Sequence, residues 1–225
     1  MGEDPNNVHN VGALGVESIS NTKLLPIKTL EKNIKFKFSR KNILVAYHPE
    51  TSGSVDVKKD FQIILNVISS LENVSVVFTS SNADPGGRLI NQMTENFILK
   101  YKNKNFINFS TLGHELFFST VNIVDLVMGN SSSGIIEVPY LNTPTINIGN
   151  RQIGRVRCSS IIDCRCNQDE LETLLDKILN KKNYLVSNLQ KLPYGTGSTT
   201  KNILKVLKTF SPQNHLSKTF NDIEY

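Results

Sequence analysis

Apolar and polar positions switch between two periods along most of the chain. Residues 42–47 (NILVAY) form a continuous apolar run of β type that stops at His48-Pro49. Over 56–71 the residues Val57, Phe61, Ile64, Leu65, Ile68 and Leu71 fall at helical spacing. Residues 74–79 (VSVVFT) predict a second strand, closed by the polar segment SSNADPGG. Helical spacing returns over 89–101 through Ile90, Met93, Phe97 and Ile98. A short strand at 106–109 (FINF), a brief helix over 113–120 and a strand at 122–128 (NIVDLVM) follow. The turn GNSSSG comes next, then a helix opening near Ser133 and a strand at 144–148 (PTINI). Residues 167–181 read as an amphipathic helix, with Asn167 as N-cap and Glu170 completing a capping-box pattern. A last helix is expected over 198–210, carrying Ile203, Leu204, Val206 and Leu207, before a polar, frayed tail after Pro212.

Strands alternating with helices at this spacing predict a parallel sheet covered on both faces, an α/β sandwich of Rossmann-like type. The first 40 residues break the rhythm: VHNVGALG reads as a strand end and turn, and IKFKFS as an isolated strand. There is no internal repeat and no low-complexity segment.

The chain has 225 residues, 39% of them hydrophobic and 20% charged, which excludes a disordered polymer or a collagen-like chain. The length fits one large domain or two small ones. No apolar run approaches the ~20 residues of a membrane span, and the polar start MGEDPNNVHN is no signal peptide, so a cytoplasmic protein without membrane contact is expected. Three cysteines, Cys158, Cys164 and Cys166, make no disulfide framework. The CxC pair has no nearby histidine pair, so ordinary packing is expected there rather than a metal. The net charge of +5 is made unevenly: the 19 lysines are scattered, whereas four of the six arginines lie within 151–165. Aromatic residues do not interleave with the basic ones, which argues against a nucleic-acid groove. The arginine cluster points instead to a small anionic ligand, because the guanidinium fork fits phosphate and carboxylate.

Ligands of open parallel sheets bind outside the carboxyl ends of the strands. Four polar segments are expected at those ends: 48–51, 82–84, 129–134 and 149–151. Each alone reads as a turn, since Gly, Asn, Ser and Pro form turns anyway; together they point to a site. GNSSSG is the most informative, because it joins a buried strand to a helix whose first N–H groups point outward unpaired. Gly129 and Gly134 would let a phosphate approach the backbone, Asn130 completes the loop, and Ser131, Ser132 and Ser133 supply hydroxyls. The segment is neither a Walker loop nor GxGxxG, and no GxSxG elbow is present, so ATP, NAD and serine-nucleophile chemistry are not indicated. Glu137, a turn further on, either accepts two adjacent sugar hydroxyls or merely offsets the helix dipole. His48 is either a core histidine or a ring facing the crevice, able to donate to a phosphate or to move a proton near neutral pH.

Residues 129–155, GNSSSGIIEVPYLNTPTINIGNRQIGR, resemble the hydrolysing UDP-N-acetylglucosamine 2-epimerases of sialic acid synthesis. The likeness continues through AYHPETSGS (46–54), FTSSNADPGGR (78–88), PYGTGS (193–198) and GEDPNNVHNVGALGVESI (2–19). The non-hydrolysing epimerases share the fold but differ at GNSSSG and GNRQIGR. The resemblance implies two Rossmann-like lobes of the glycosyltransferase-B type with a UDP-sugar between them, this chain supplying the C-terminal lobe. By that reading residues 1–25 are the end of the first lobe and a linker, 26–196 the UDP-binding lobe, and 197–225 a helix and tail. The last helix of this architecture often crosses back to the first lobe.

The resemblance makes His48, Asn82, Ser131, Ser132, Glu137 and Arg151 the UDP-contacting set: serines on the diphosphate, Glu137 on the ribose, His48 near the phosphates with a catalytic part. Asp84 stands in the motif, with a turn role first. The implied reaction is loss of UDP across C1–C2 and then addition of water at C2, giving N-acetylmannosamine and UDP without cofactor or metal. The implied acid/base carboxylates belong to the absent first lobe, so this chain alone is expected to lack full activity, and the full-length protein to be a homo-oligomer. A related substrate, UDP-N,N'-diacetylbacillosamine, and a non-catalytic UDP-sugar-binding module are the alternatives. One departure stands out: Thr196 occupies the place between two glycines where the family often has aspartate.

Overall fold

The computed structural model describes residues 3–50, 56–180, 192–211 and Asp222. Six strands form one parallel sheet in the order β3-β2-β1-β4-β5-β6. They are β1 (Lys41–Ala46), β2 (Val74–Thr79), β3 (Asn105–Phe109), β4 (Leu126–Gly129), β5 (Thr145–Ile148) and β6 (Ile161–Cys164). β1 sits at the centre, and five of its six residues are buried, as expected for a strand covered on both faces.

Alternation along β1 and β2 divides the core. Ile43, Val45, Tyr47, Val76 and Phe78 point to one side, onto α3 (Val57–Ser70), α4 (Gly87–Lys100) and α7 (Gln168–Asn180). Leu44, Ala46 and Val127 point to the other, onto α5 (Gly113–Ile123) and the turn after α6 (Ser132–Ile136). On that second face Val77 meets α2 (Ile27–Ile34). α3 shows why the pattern folds as it does: Phe61, Ile64, Leu65, Val67 and Ile68 line its buried face, and Asp56 caps it by accepting the Lys59 N–H. Asn167 caps α7 in the same way through Glu170 N–H at 3.0 Å. The reciprocal half of the box is not formed, because the Glu170 carboxylate accepts from Arg165 instead.

Three expectations are corrected, and one strand is added. IKFKFS is no strand. Ile34 ends α2, Lys35 takes a left-handed conformation (φ 52°), and Phe36 and Phe38 pack edge to face at 5.6 Å beneath the sheet. The Phe38 N–H, which a strand would give to a neighbour, goes to the Glu31 carboxylate. VHNVGALG is no strand end; it is an extended run leading to Ala13, the N-cap of α1 (Leu14–Asn21). Residues 122–123 belong to α5, since the apolar sequence runs without a break from helix into strand. Finally, β6 was not foreseen, being four residues long and half exposed at the sheet edge.

The last helix, α8 (Thr199–Thr209), packs on α1 and leaves Leu204 and Leu207 exposed. No helix among the described residues is long and apolar enough to cross a membrane.

Candidate functional site

The strand order reverses between β1 and β4, where β1 turns to β2 on one side and β4 to β5 on the other. A crevice outside the strand ends at such a point is the favoured ligand position of this sheet type. The segments after β1, β2, β4 and β5 meet there through side-chain hydrogen bonds.

Asn130 is the hub. It is fully buried; its Oδ1 accepts the His48 N–H at 2.7 Å and its Nδ2 donates to the His48 carbonyl at 2.8 Å. Its own N–H donates to Ala46 O. Its carbonyl accepts from Arg151 Nη1 at 3.1 Å and from Gln152 Nε2 at 2.8 Å. Glu50 ties the other side: one carboxylate oxygen accepts the N–H groups of Asn150 and Arg151 at 2.8 and 3.1 Å. The loop after β1 is thus braced to those after β4 and β5, which fixes where the His48 ring and the Arg151 guanidinium start.

The His48 tautomer follows from its neighbours. Asn82 N–H donates to Nδ1 at 3.2 Å, so that nitrogen carries the lone pair and the proton resides on Nε2. Ser81 Oγ lies 3.3 Å from the same nitrogen. Burial, and next the Arg151 cation, hold the imidazole below its ordinary pKa, against the opposing pull of Asp84. His48 is therefore a neutral Nε2–H donor at pH 7. Asn82 itself is exposed, with its amide turned onto Asp84 Oδ2 at 2.6 Å. Asp84 keeps a turn role, its carbonyl accepting Gly87 N–H.

In the GNSSSG loop, Ser131 is the N-cap of α6 and accepts the Ser133 N–H. Among the described residues, Ser132 makes no side-chain hydrogen bond, and one of the five Arg151 donors is engaged by a side-chain bond. Two parts of the sequence expectation change. α6 has five residues, so its dipole is small and the phosphate-binding capacity rests on the hydroxyls and first N–H groups. The glycines face protein: a Cβ on Gly129, whose φ is 141°, would strike the carbonyl of Ala46, and one on Gly134 would lie 3.0 Å from Thr145 Cγ2. They permit close strand packing rather than approach of a ligand.

Glu137 lies at the C-terminal end of α6, not inside a longer helix. Burial raises its pKa above the ordinary carboxylate value, opposed by its own N–H, the Ser133 hydroxyl and the more distant Arg155 and His114. Among the described residues, its buried Oε2 has no hydrogen-bond partner.

The arginine cluster is divided by the fold. Arg157 pairs with Asp163 at 3.0 Å, Arg165 pairs with Glu170 at 3.2 Å and Arg155 is exposed, whereas Arg151 is built into the switch-point loops by its bond to Asn130 O. Cys164 and Cys166 donate to the carbonyls of Arg165 and Asp60, and burial pushes both thiols up to about 12. Among the described residues no group of three or more His, Cys, Asp or Glu side chains is placed to hold a metal ion. A cleft of about 400 Å³ opens beside the site, between Glu50, Asp60, Arg157 and Cys166. It lies at the β5 and β6 ends, away from GNSSSG. The bracing roles of Glu50, Asn130 and Gln152 had no sequence signal, because each spans segments tens of residues apart.

The sequence profile of the UDP-N-acetylglucosamine 2-epimerases matches residues 1–208. The chain belongs to this family. It is 37% identical over 182 residues to a Campylobacter jejuni protein named GDP/UDP-N,N'-diacetylbacillosamine 2-epimerase (hydrolyzing), covering 81% of this chain and 47% of that one. It is 32% identical to the Escherichia coli polysialic acid biosynthesis protein P7, covering 99% and 56%. Among solved structures, the UDP-N-acetylglucosamine 2-epimerase of Neisseria meningitidis, crystallised with UDP-N-acetylglucosamine, superimposes with a TM-score of 0.73 at 17% identity. That superposition covers 92% of this chain and 57% of that one, and supports the expected α/β lobe of a glycosyltransferase-B-type fold. The chain spans about half the length of the curated relatives it matches.

Proposed function

We propose that the switch-point crevice of this epimerase-family chain grips the diphosphate of UDP-N-acetylglucosamine. The reaction it serves is the hydrolysing one, giving N-acetylmannosamine and UDP by elimination across C1–C2 and then hydration. One observation carries the reading. The neutral Nε2–H of His48, the Ser131 and Ser132 hydroxyls and the remaining Arg151 donors are held at adjoining strand ends by a shared brace through Asn130. Donors fixed in advance at the place where a diphosphate gains charge on leaving would stabilise that charge most.

In this reading Ser131, Ser132 and the loop N–H groups hold the diphosphate, and Arg151 offsets its charge. His48 is the catalytic candidate, donating to a departing phosphate oxygen. Asn82 orients His48 through its N–H and offers its exposed side chain to the ligand. Glu137, half-buried at the C-terminal end of α6, accepts the ribose hydroxyls through its carboxylate. The base that takes the C2 proton is assigned to a first lobe outside this chain. The full-length protein would act as a cytoplasmic homo-oligomer.

The C. jejuni relative favours a second substrate, UDP-N,N'-diacetylbacillosamine. Mass analysis of the sugars released by the full-length protein from each UDP-sugar separates the two, and release of UDP from neither removes the catalytic reading. For the crevice, Ser132→Ala should weaken UDP binding by about tenfold or more, the worth of one hydrogen bond to a charged group. Unchanged affinity would remove Ser132 from the diphosphate.

A further inference from the structure

Gly15 lies in the first turn of α1 with the backbone of an ordinary helical residue, since it is absent from the glycines with positive φ. Its lack of a side chain therefore has no conformational purpose. In a helix interior alanine is normally preferred to glycine. What excludes a side chain is Glu137. A Cβ at Gly15 would overlap Glu137 Oε1 and would stand 2.9 Å from Cδ and 3.1 Å from Cγ.

The partner that must move is Glu137, because α1 is clamped. Ala13 N–H donates to Tyr194 O at 2.8 Å, and Thr199 Oγ1 donates to Ala13 O at 3.1 Å. The Glu17 carboxylate accepts from both the N–H and the hydroxyl of Thr200, at 2.8 and 2.6 Å. The segments 13–17 and 194–200, far apart in sequence, thus hold one another, and Gly15 presents the first of them to a half-buried carboxylate. The Glu137 main chain is itself fixed, its N–H donating to Ser133 O at 3.0 Å.

We infer that Gly15 is a positioning residue for nucleotide recognition: the space left by its missing side chain sets the rotamer in which Glu137 meets the ribose hydroxyls. The inference rests on the ribose role proposed for Glu137. It explains why a residue before the first strand belongs to the site's architecture, and it makes the α1–α8 clamp part of what selects a nucleoside diphosphate over a bare diphosphate.

The test is calorimetric titration of the 225-residue chain with UDP and with 2',3'-dideoxy-UDP. The wild-type chain should prefer UDP by about tenfold or more, the worth of hydroxyl donors on a carboxylate. Gly15→Ala should bring that ratio close to one, as Glu137→Ala does, while affinity for the dideoxy analogue stays within twofold. A general disturbance of the lobe would weaken both ligands alike, leave the ratio unchanged and overturn the inference. The double variant G15A/E137A has no overlap and should bind UDP as Glu137→Ala alone does; a further loss would also contradict the inference. If Glu137→Ala lowers the ratio and Gly15→Ala does not, the ribose role stands and the Gly15 inference falls. If Glu137→Ala itself leaves the ratio unchanged, the ribose role fails and the inference fails with it.

Discussion

The carboxylate of Glu137 is half-buried, short of one hydrogen-bond partner at Oε2 and raised in pKa by burial. A group with a raised native pKa binds its proton more tightly folded than unfolded. Its ionisation therefore destabilises the fold as pH rises above 4.5, and the whole cost is present once pH passes the raised value. Glu137→Gln should accordingly melt at a higher temperature than wild type at pH 7 and at the same temperature near pH 4, where both side chains are neutral. A lower melting temperature at pH 7 would mean that the charge is compensated in the free protein. His48 has the opposite sign for a base. Below 6.5 the unfolded chain takes up a proton that the folded ring resists, so stability falls as pH drops from 6.5 toward the lowered native value. Bound UDP should raise this pKa, since a phosphate dianion favours the imidazolium. NMR titration of the ring with and without UDP checks it, and an unchanged value would place His48 away from the phosphates.

Between β1 and β4 the geometry depends on two residues. Gly129 allows the strand end to approach Ala46 O, so Gly129→Ala combines a left-handed backbone with a backbone overlap and should prevent a stable lobe, as read by loss of cooperative urea unfolding. Asn130→Ala removes both bonds to the His48 main chain and leaves a partly buried N–H and C=O unpaired. A loss of about 2–4 kcal/mol is expected, counting 1–2 per orphaned group. An unfolding midpoint equal to wild type would show that water replaces the amide.

The same elements show what could be read from sequence. β1, β2, α3, α4 and α7 were legible because each repeats its period over enough residues to be distinguished from chance. α2 and β6 were not: one has eight residues and the other four, too few for either period to declare itself. IKFKFS failed for a different reason. Its alternation is genuine, but its N–H groups are satisfied by the carboxylate of Glu31 and the side chains of Asn42 and Ser75 rather than by a neighbouring strand. At the site, the four strand-end segments were legible from the position of polar residues after apolar runs. The amide and carboxylate braces that join them were not, because a hydrogen bond between residues 48 and 130 leaves no mark on local spacing.

Across the whole molecule, the strand order 3-2-1-4-5-6 brings His48 and Asn130, 82 residues apart, to one crevice, and Gly15 of α1 packs against Glu137 at the end of α6. The donors gathered there have geometry fixed by the fold before any ligand arrives, so binding need not order the loops first. We propose that this crevice holds the diphosphate of a UDP-sugar. Calorimetric titration of the chain with UDP tests it most directly. A single site with a dissociation constant of about 1 mM or tighter is expected, weakened by about tenfold or more in Ser132→Ala. No binding at concentrations well above that range, or equal binding by Ser132→Ala and wild type, would contradict it.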